Sequence, residues 1–122
     1  MTDPDFILLY VADPLASAAF YARLLGKPAL DASPGFAMFG LDSGVKLGLW
    51  AAAGVEPAAT RPGGAELGFA VADRAAVQAR HEAWKRDGLT ILQPPTAMDF
   101  GYTYTALDPD GHRLRVFTPT AA

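Results

Sequence analysis

The alternation of apolar and polar positions divides the chain into short strands and two helical stretches, and the same order of elements occurs twice. In Phe6 to Ala12 a period of two places Phe6, Leu8 and Tyr10 on one face of a strand and Ile7, Leu9 and Val11 on the other. Asp13 suits an N-cap and Pro14 the first helical position, where no backbone N–H is missed. Leu15, Ala18, Ala22 and Leu25 follow at helical spacing until Gly26. Pro28 to Ala32 is predicted as an edge strand. Gly35 to Leu41 and Val45 to Trp50 form a hairpin about Asp42-Ser43-Gly44.

From Ala65 the order repeats. Glu66, Gly68 and Ala70 share one strand face, and Leu67, Phe69 and Val71 the other. Asp73 caps a helix whose inner stripe includes Val77, His81 and Trp84, and Gly88 stops it. Thr90 to Leu92 is a second edge strand, and Pro94-Pro95 is expected to break the chain. Tyr102 to Leu107 and His112 to Phe117 then form a hairpin about Asp108-Pro109-Asp110-Gly111. The two hairpins match residue by residue: Leu41-Asp42 answers Leu107-Asp108, Gly44 answers Gly111, Gly48 answers Arg115 and Trp50 answers Phe117. Val11-Ala12-Asp13 likewise recurs as Val71-Ala72-Asp73. Two ordered matches at nearly one offset indicate a duplicated unit.

The predicted fold is α+β, with two repeated β-α-β-β-β modules in one domain: module one at about 5–52, a linker at 53–64 rich in Pro and Gly, and module two at 65–119. One helix covers only one face of a four-stranded sheet. The remaining faces are therefore expected to pair as a curved mixed sheet around a cleft, within one chain or between two. Exposed sheet edges predict a homodimer.

Composition narrows the partners. With 51% apolar and 19% charged residues, the 122-residue chain has enough apolar side chains for a core. No apolar run approaches the ~20 residues of a membrane span. The acidic start MTDPDF lacks the basic segment of a secretory signal. The absence of cysteine excludes disulfides, thiolate metal sites and a cysteine nucleophile, and fits a cytoplasmic location. A net charge of -3 carries no footprint for nucleic acid, so a small organic partner is expected.

The paired modules, the V-A-D helix starts, the FYARLLG helix end and the DPDGH turn resemble the vicinal-oxygen-chelate superfamily. That group includes glyoxalase I, ring-cleaving dioxygenases, fosfomycin-modifying enzymes and bleomycin-resistance proteins. More narrowly, Tyr10-Val11, Trp50 followed by Glu56-Pro57, Glu66, Trp84 and the run from Phe100-Gly101 through the DPDGH turn to Arg115-Val116 resemble the phenazine antibiotic-resistance proteins, which bind rather than catalyse. The resemblance implies that the superfamily's metal-ligand positions are Phe6, Gly48, Glu66 and Arg115. Of these, only Glu66 offers a donor to a cation, whereas a catalytic divalent ion normally takes about three. The expectation is no metal, no cofactor and no catalytic residue, with a Glu66–Arg115 ion pair where the metal would be.

The ligand-binding residues expected from the alternation are Phe6, Leu8, Tyr10, Gly48, Trp50, Glu66, Arg115 and Phe117. Phe36 and Met38 or their neighbours, and Tyr102 and Tyr104 or theirs, add to them. A ring-rich surface with one charged pair suits a planar aromatic small molecule. Two readings stand: a metal-free protein that sequesters an antibiotic-like planar aromatic, or a metal-dependent lyase, isomerase or dioxygenase of the same superfamily. His81 and His112 occupy no ligand position and are assigned to packing and to the turn.

Overall fold

The computed structural model describes residues 3–119. Its elements are β1 (Phe6–Val11), α1 (Pro14–Leu25), β2 (Asp31–Ala32), β3 (Phe36–Gly40), β4 (Lys46–Ala51), a 3₁₀ turn (Ala52–Gly54), β5 (Glu66–Ala70), α2 (Arg74–Arg86), β6 (Thr90–Met98), β7 (Gly101–Leu107) and β8 (Arg113–Pro119). The chain divides after Arg61 into two compact units. Each is one β-α-β-β-β module with a mixed sheet, ordered β1-β4-β3-β2 in the first and β5-β8-β7-β6 in the second. The α+β class and the duplicated module are as the sequence predicts. No helix among the described residues is long and apolar enough to cross a membrane.

In the first unit, the Asp13 carboxylate accepts from the backbone N–H groups of Leu15 and Ala16 at 3.1 and 3.2 Å and so caps α1. Such a cap contributes ~1 kcal/mol. Gly26, at φ 70°, ends the helix by donating its N–H to the Ala22 carbonyl. The buried stripe of α1 is Pro14, Ser17, Ala18 and Tyr21, whereas Leu15 is exposed. The helix is thus turned from the orientation its leucines predict. Fully buried Tyr21 joins Val11, Ala37, Phe39, Leu47 and Leu49 in the core, with α1 lying against β3 and β4.

In the second unit, Asp73 caps α2 through the Ala76 N–H at 2.8 Å, and Val77 and Trp84 are buried, as their spacing predicts. Trp84 meets Phe69 and Tyr104 edge-on at 5.8 and 5.5 Å between centroids. Asp108 holds the hairpin turn by accepting from the N–H groups of Asp110 and His112, both at 2.9 Å. One expectation fails at Pro94-Pro95: β6 runs through both prolines to Met98, with register shifts flanking Gln93. Because β6 is the sheet's edge, its missing N–H groups leave no central ladder bond unmade.

The tyrosines of β7 face the opposite way from the one expected. Tyr102 and Tyr104 lie under α2: the Tyr102 hydroxyl accepts from Gln78 Nε2 at 2.7 Å, and the Tyr104 ring sits beside His81 at 5.2 Å. The other β7 face carries Thr103 and Thr105. Tyr104 is fully buried, and its hydroxyl has no hydrogen-bond partner among the described residues. Burial raises its pKa, offset in part by the charge of Arg80. In the unfolded chain a tyrosine ionises near pH ~10 while the buried one stays neutral, so stability present below that pH is lost as pH rises past it. Tyr104→Phe is therefore expected to be neutral or stabilising by up to ~1 kcal/mol at pH 7 and to lessen the alkaline loss. Urea unfolding at pH 7 and 10.5 checks this; an equal alkaline loss in both proteins contradicts it.

Candidate functional site

In each unit the helix lies against one face of the sheet and leaves the other uncovered by it. On the first unit's open face, the strand register sets Phe6 beside Lys46, Gly48 between Leu8 and Met38, and Trp50 between Tyr10 and Phe36. The helix-side partners are Leu9, Leu49 and Ala37, so the period of two placed the β1 and β4 residues correctly, and the register resolves the open choice on β3 in favour of Phe36 and Met38. Tyr10 and Trp50 meet edge-on with centroids 6.4 Å apart, and the Lys46 ammonium lies 5.7 Å from the Phe6 ring centre. Phe6 and Leu8 are each 45% exposed, a large apolar exposure for neighbours on one strand face.

Gly48 is the centre of that face and is itself buried. A Cβ added there would lie 2.6 Å from Leu8 Cδ2 and 2.9 Å from Phe36 Cζ. The space a side chain would fill is therefore occupied by its neighbours, which close over the strand as an apolar floor.

On the second unit's open face, Arg115 organises a polar cluster. Its Nε and Nη2 donate to the two oxygens of Glu66 at 2.5 and 3.3 Å, a two-point carboxylate–guanidinium pair. Its Nη1 donates to Gln93 Oε1 and to Thr103 Oγ1, each at 3.3 Å. Thr103 passes its own proton to the Val116 carbonyl at 2.9 Å, and Thr105 donates to Gln93 Oε1 at 3.3 Å. Phe100 packs edge-on against Phe117 at 6.2 Å and lies 6.0 Å from the guanidinium carbon. Side-chain exposures of 19% for Arg115 and 34% for Glu66 make the pair partly buried.

These residues do not fit the divalent ion of the superfamily's enzymes. Phe6 has no donor atom, Gly48 has no side chain, Glu66 is engaged by a guanidinium, and Arg115 is a permanent cation. Among the described residues, no three His, Asp or Glu side chains form a group able to hold a metal.

The site residues expected from sequence thus fall into three sets. The first unit gathers Phe6, Leu8, Tyr10, Gly48 and Trp50 on its open face. The second places Glu66, Arg115 and Phe117 on its own, while Tyr102 and Tyr104 belong under the helix. Gln93, Thr103, Thr105 and Phe100 were not anticipated. The signal for the threonines was the alternation of β7 itself, in phase with Arg115 and Phe117 on β8, but the rings of the tyrosines outweighed it. Gln93 was hidden by the prolines after it.

Comparison with known proteins agrees with this architecture. The family model for the Glyoxalase/Bleomycin resistance protein/Dioxygenase superfamily matches residues 4–116. The chain is 28% identical over 116 residues to the phenazine antibiotic resistance protein EhpR of Enterobacter agglomerans, covering 93% of this chain and 89% of that protein. The solution structure of protein ATC0852 from Agrobacterium tumefaciens is 49% identical with a TM-score of 0.91, covering 99% of this chain and 100% of that one. The crystal structure of a glyoxalase-related enzyme from Fulvimarina pelagi is 25% identical with a TM-score of 0.84, covering 100% of this chain and 94% of that one. With the fold, the duplicated module and a family match over nearly its whole length, this chain belongs to the glyoxalase/bleomycin resistance protein/dioxygenase superfamily.

Proposed function

We propose that this protein binds and sequesters a planar aromatic, antibiotic-like small molecule without a metal and without chemical conversion. The observation that carries the reading is the first unit's open face: Phe6, Leu8, Tyr10, Phe36 and Trp50 around a glycine where the superfamily's enzymes place a metal ligand. An aromatic ligand stacked on such a surface gains ~0.5–1.5 kcal/mol per well-placed ring beyond the area it buries. The phenazine-resistance relative supports a flat heteroaromatic as the ligand class. The exposed strand FILLYV has no charge, proline or bulge to protect its edge, so a second copy of the chain is the expected neighbour.

The chain's two tryptophans allow a direct test. Trp84 is buried on the inner side of α2 and Trp50 is on the open face, so phenazine is expected to quench tryptophan emission in wild type and in Trp84→Phe, but not the remaining emission of Trp50→Phe. Equal quenching in both variants contradicts binding at this face. Sedimentation equilibrium on the same samples tests the dimer, and a monomer throughout removes that part of the proposal.

A further inference from the structure

We infer that Lys46 receives an anionic substituent of the planar aromatic ligand, such as a carboxylate, at one end of the first unit's open face. The inference rests on the binding function proposed above and adds the ligand's charge and its direction on the sheet.

The strand period and the register place Lys46 on the same face as Gly48 and Trp50, beside Phe6 of β1. Its side chain is half-buried, and its ammonium lies 5.7 Å from the Phe6 ring centre. An ammonium has three donors and no acceptor, and the ring face engages one side of it. Among the described residues, no carboxylate or other hydrogen-bond acceptor lies within bonding distance of Nζ, and Asp42 of the adjoining hairpin turn is held by Lys27 at 2.8 Å. The four strands of this unit carry one other charged side chain, Asp31 on β2, which the register puts beside Met38. Two strand spacings, about 10 Å, separate β2 from β4, so solvent and salt largely screen Asp31 from Lys46.

The rest of the floor differs from this end. Leu8, Gly48 and Met38 continue it, and Tyr10, Trp50 and Phe36 close it with rings. Lys46 and Trp50 stand four residues apart on β4, which is about 13 Å and close to the length of a three-ring system with one substituent. A ligand stacked near Trp50 and lying along β4 therefore brings its far edge to the Lys46 ammonium. There it displaces water from the donors. An apolar edge would leave a cation without partners, which is costly, whereas an anionic oxygen accepts from Nζ in a charge-assisted bond. Lys46 thus favours anionic ligands and sets which end of the ligand points away from Trp50.

The test uses two probes of the same size and shape, phenazine-2-carboxylate, anionic at pH 7.5, and the neutral phenazine-2-carboxamide. Tryptophan quenching gives the ratio of their dissociation constants in wild type and in Lys46→Met, which keeps an unbranched apolar stem and removes the charge. Wild type is expected to favour the carboxylate by about fivefold, and Lys46→Met to lose that preference while binding the carboxamide within about twofold of wild type. In wild type, the carboxylate is expected to shift the Lys46 Nζ resonance at least about twice as far as the carboxamide does, a readout that does not depend on the variant folding. Equal affinity of the two probes for wild type, a carboxylate preference that persists in Lys46→Met, or equal shifts at Nζ overturns the anion reading while aromatic binding stands. If neither probe binds wild type, the binding function itself is overturned and this inference with it.

Discussion

Gly48→Leu is expected to lower stability by ~1–3 kcal/mol and to weaken planar-aromatic binding by about tenfold or more. The cause is space. Position 48 lies between Leu8 and Met38 in the sheet, and even a Cβ would intrude to 2.6 Å from Leu8 Cδ2 and 2.9 Å from Phe36 Cζ. Both contacts are the far ends of side chains, so Gly48→Ala is expected to be accommodated by small rotations of Leu8 and Phe36. An isobutyl group has no such escape: it must push both side chains off the floor on which the ligand is proposed to lie. Urea unfolding and tryptophan-quenching titrations of the two variants measure the two effects separately. If Gly48→Leu binds phenazine as wild type does, the apolar floor is not the ligand's platform.

Arg115→Ala is expected to cost ~2 kcal/mol of stability. Exposed ion pairs contribute ~0–1 kcal/mol, and breaking a fully buried one costs ~3–5. The exposures of Arg115 and Glu66, 19% and 34%, place this pair between those limits. Losing the guanidinium also leaves Gln93 Oε1 and Thr103 Oγ1 without the donor they share. Glu66→Ala should cost less, because Arg115 keeps Gln93 and Thr103 as partners. A double-mutant cycle should give a coupling of ~1–2 kcal/mol between the two sites. A coupling near zero in unfolding titrations at low salt would show that the pair is a solvated contact rather than the organising element of this face.

How much of this was readable from the chain depended on whether one physical signal or two governed a segment. Phe6 to Val11 is a run of six apolar residues whose faces are separated only by the strand period of two, and with the register on β4 that period puts Phe6, Leu8, Tyr10, Gly48 and Trp50 on one face. The duplicated hairpins were legible for a related reason: Gly44 and Gly111 both adopt positive φ, at 94° and 90°, in turns that only glycine enters easily. The Glu66–Arg115 pair followed from the resemblance, which put both residues at converging metal-ligand positions of the superfamily, and the structure pairs them.

Where two signals competed, the sequence misled. On β7, the alternation in phase with Arg115 points the threonines outward, but aromatic character suggested the tyrosines instead. The structure gives the rings to the α2 layer, because Trp84 and His81 offer them edge-on partners and Gln78 offers a donor to Tyr102. The same competition turned α1 toward Tyr21 rather than Leu15. Gln93 could not be placed from sequence, since its role depends on register shifts in an edge strand whose prolines look like a break.

This member of the superfamily is proposed to hold its ligand without a metal and to leave it unaltered. The most direct measurement is a titration of chelator-treated protein with phenazine, followed by extraction and mass spectrometry of the ligand, then repeated with nickel, zinc, manganese and iron added in turn. Saturable binding in the chelator, an unchanged affinity with each metal, and full recovery of the starting compound are expected. Binding that appears only when one of the metals is restored, or recovery of a converted product, would contradict the proposal.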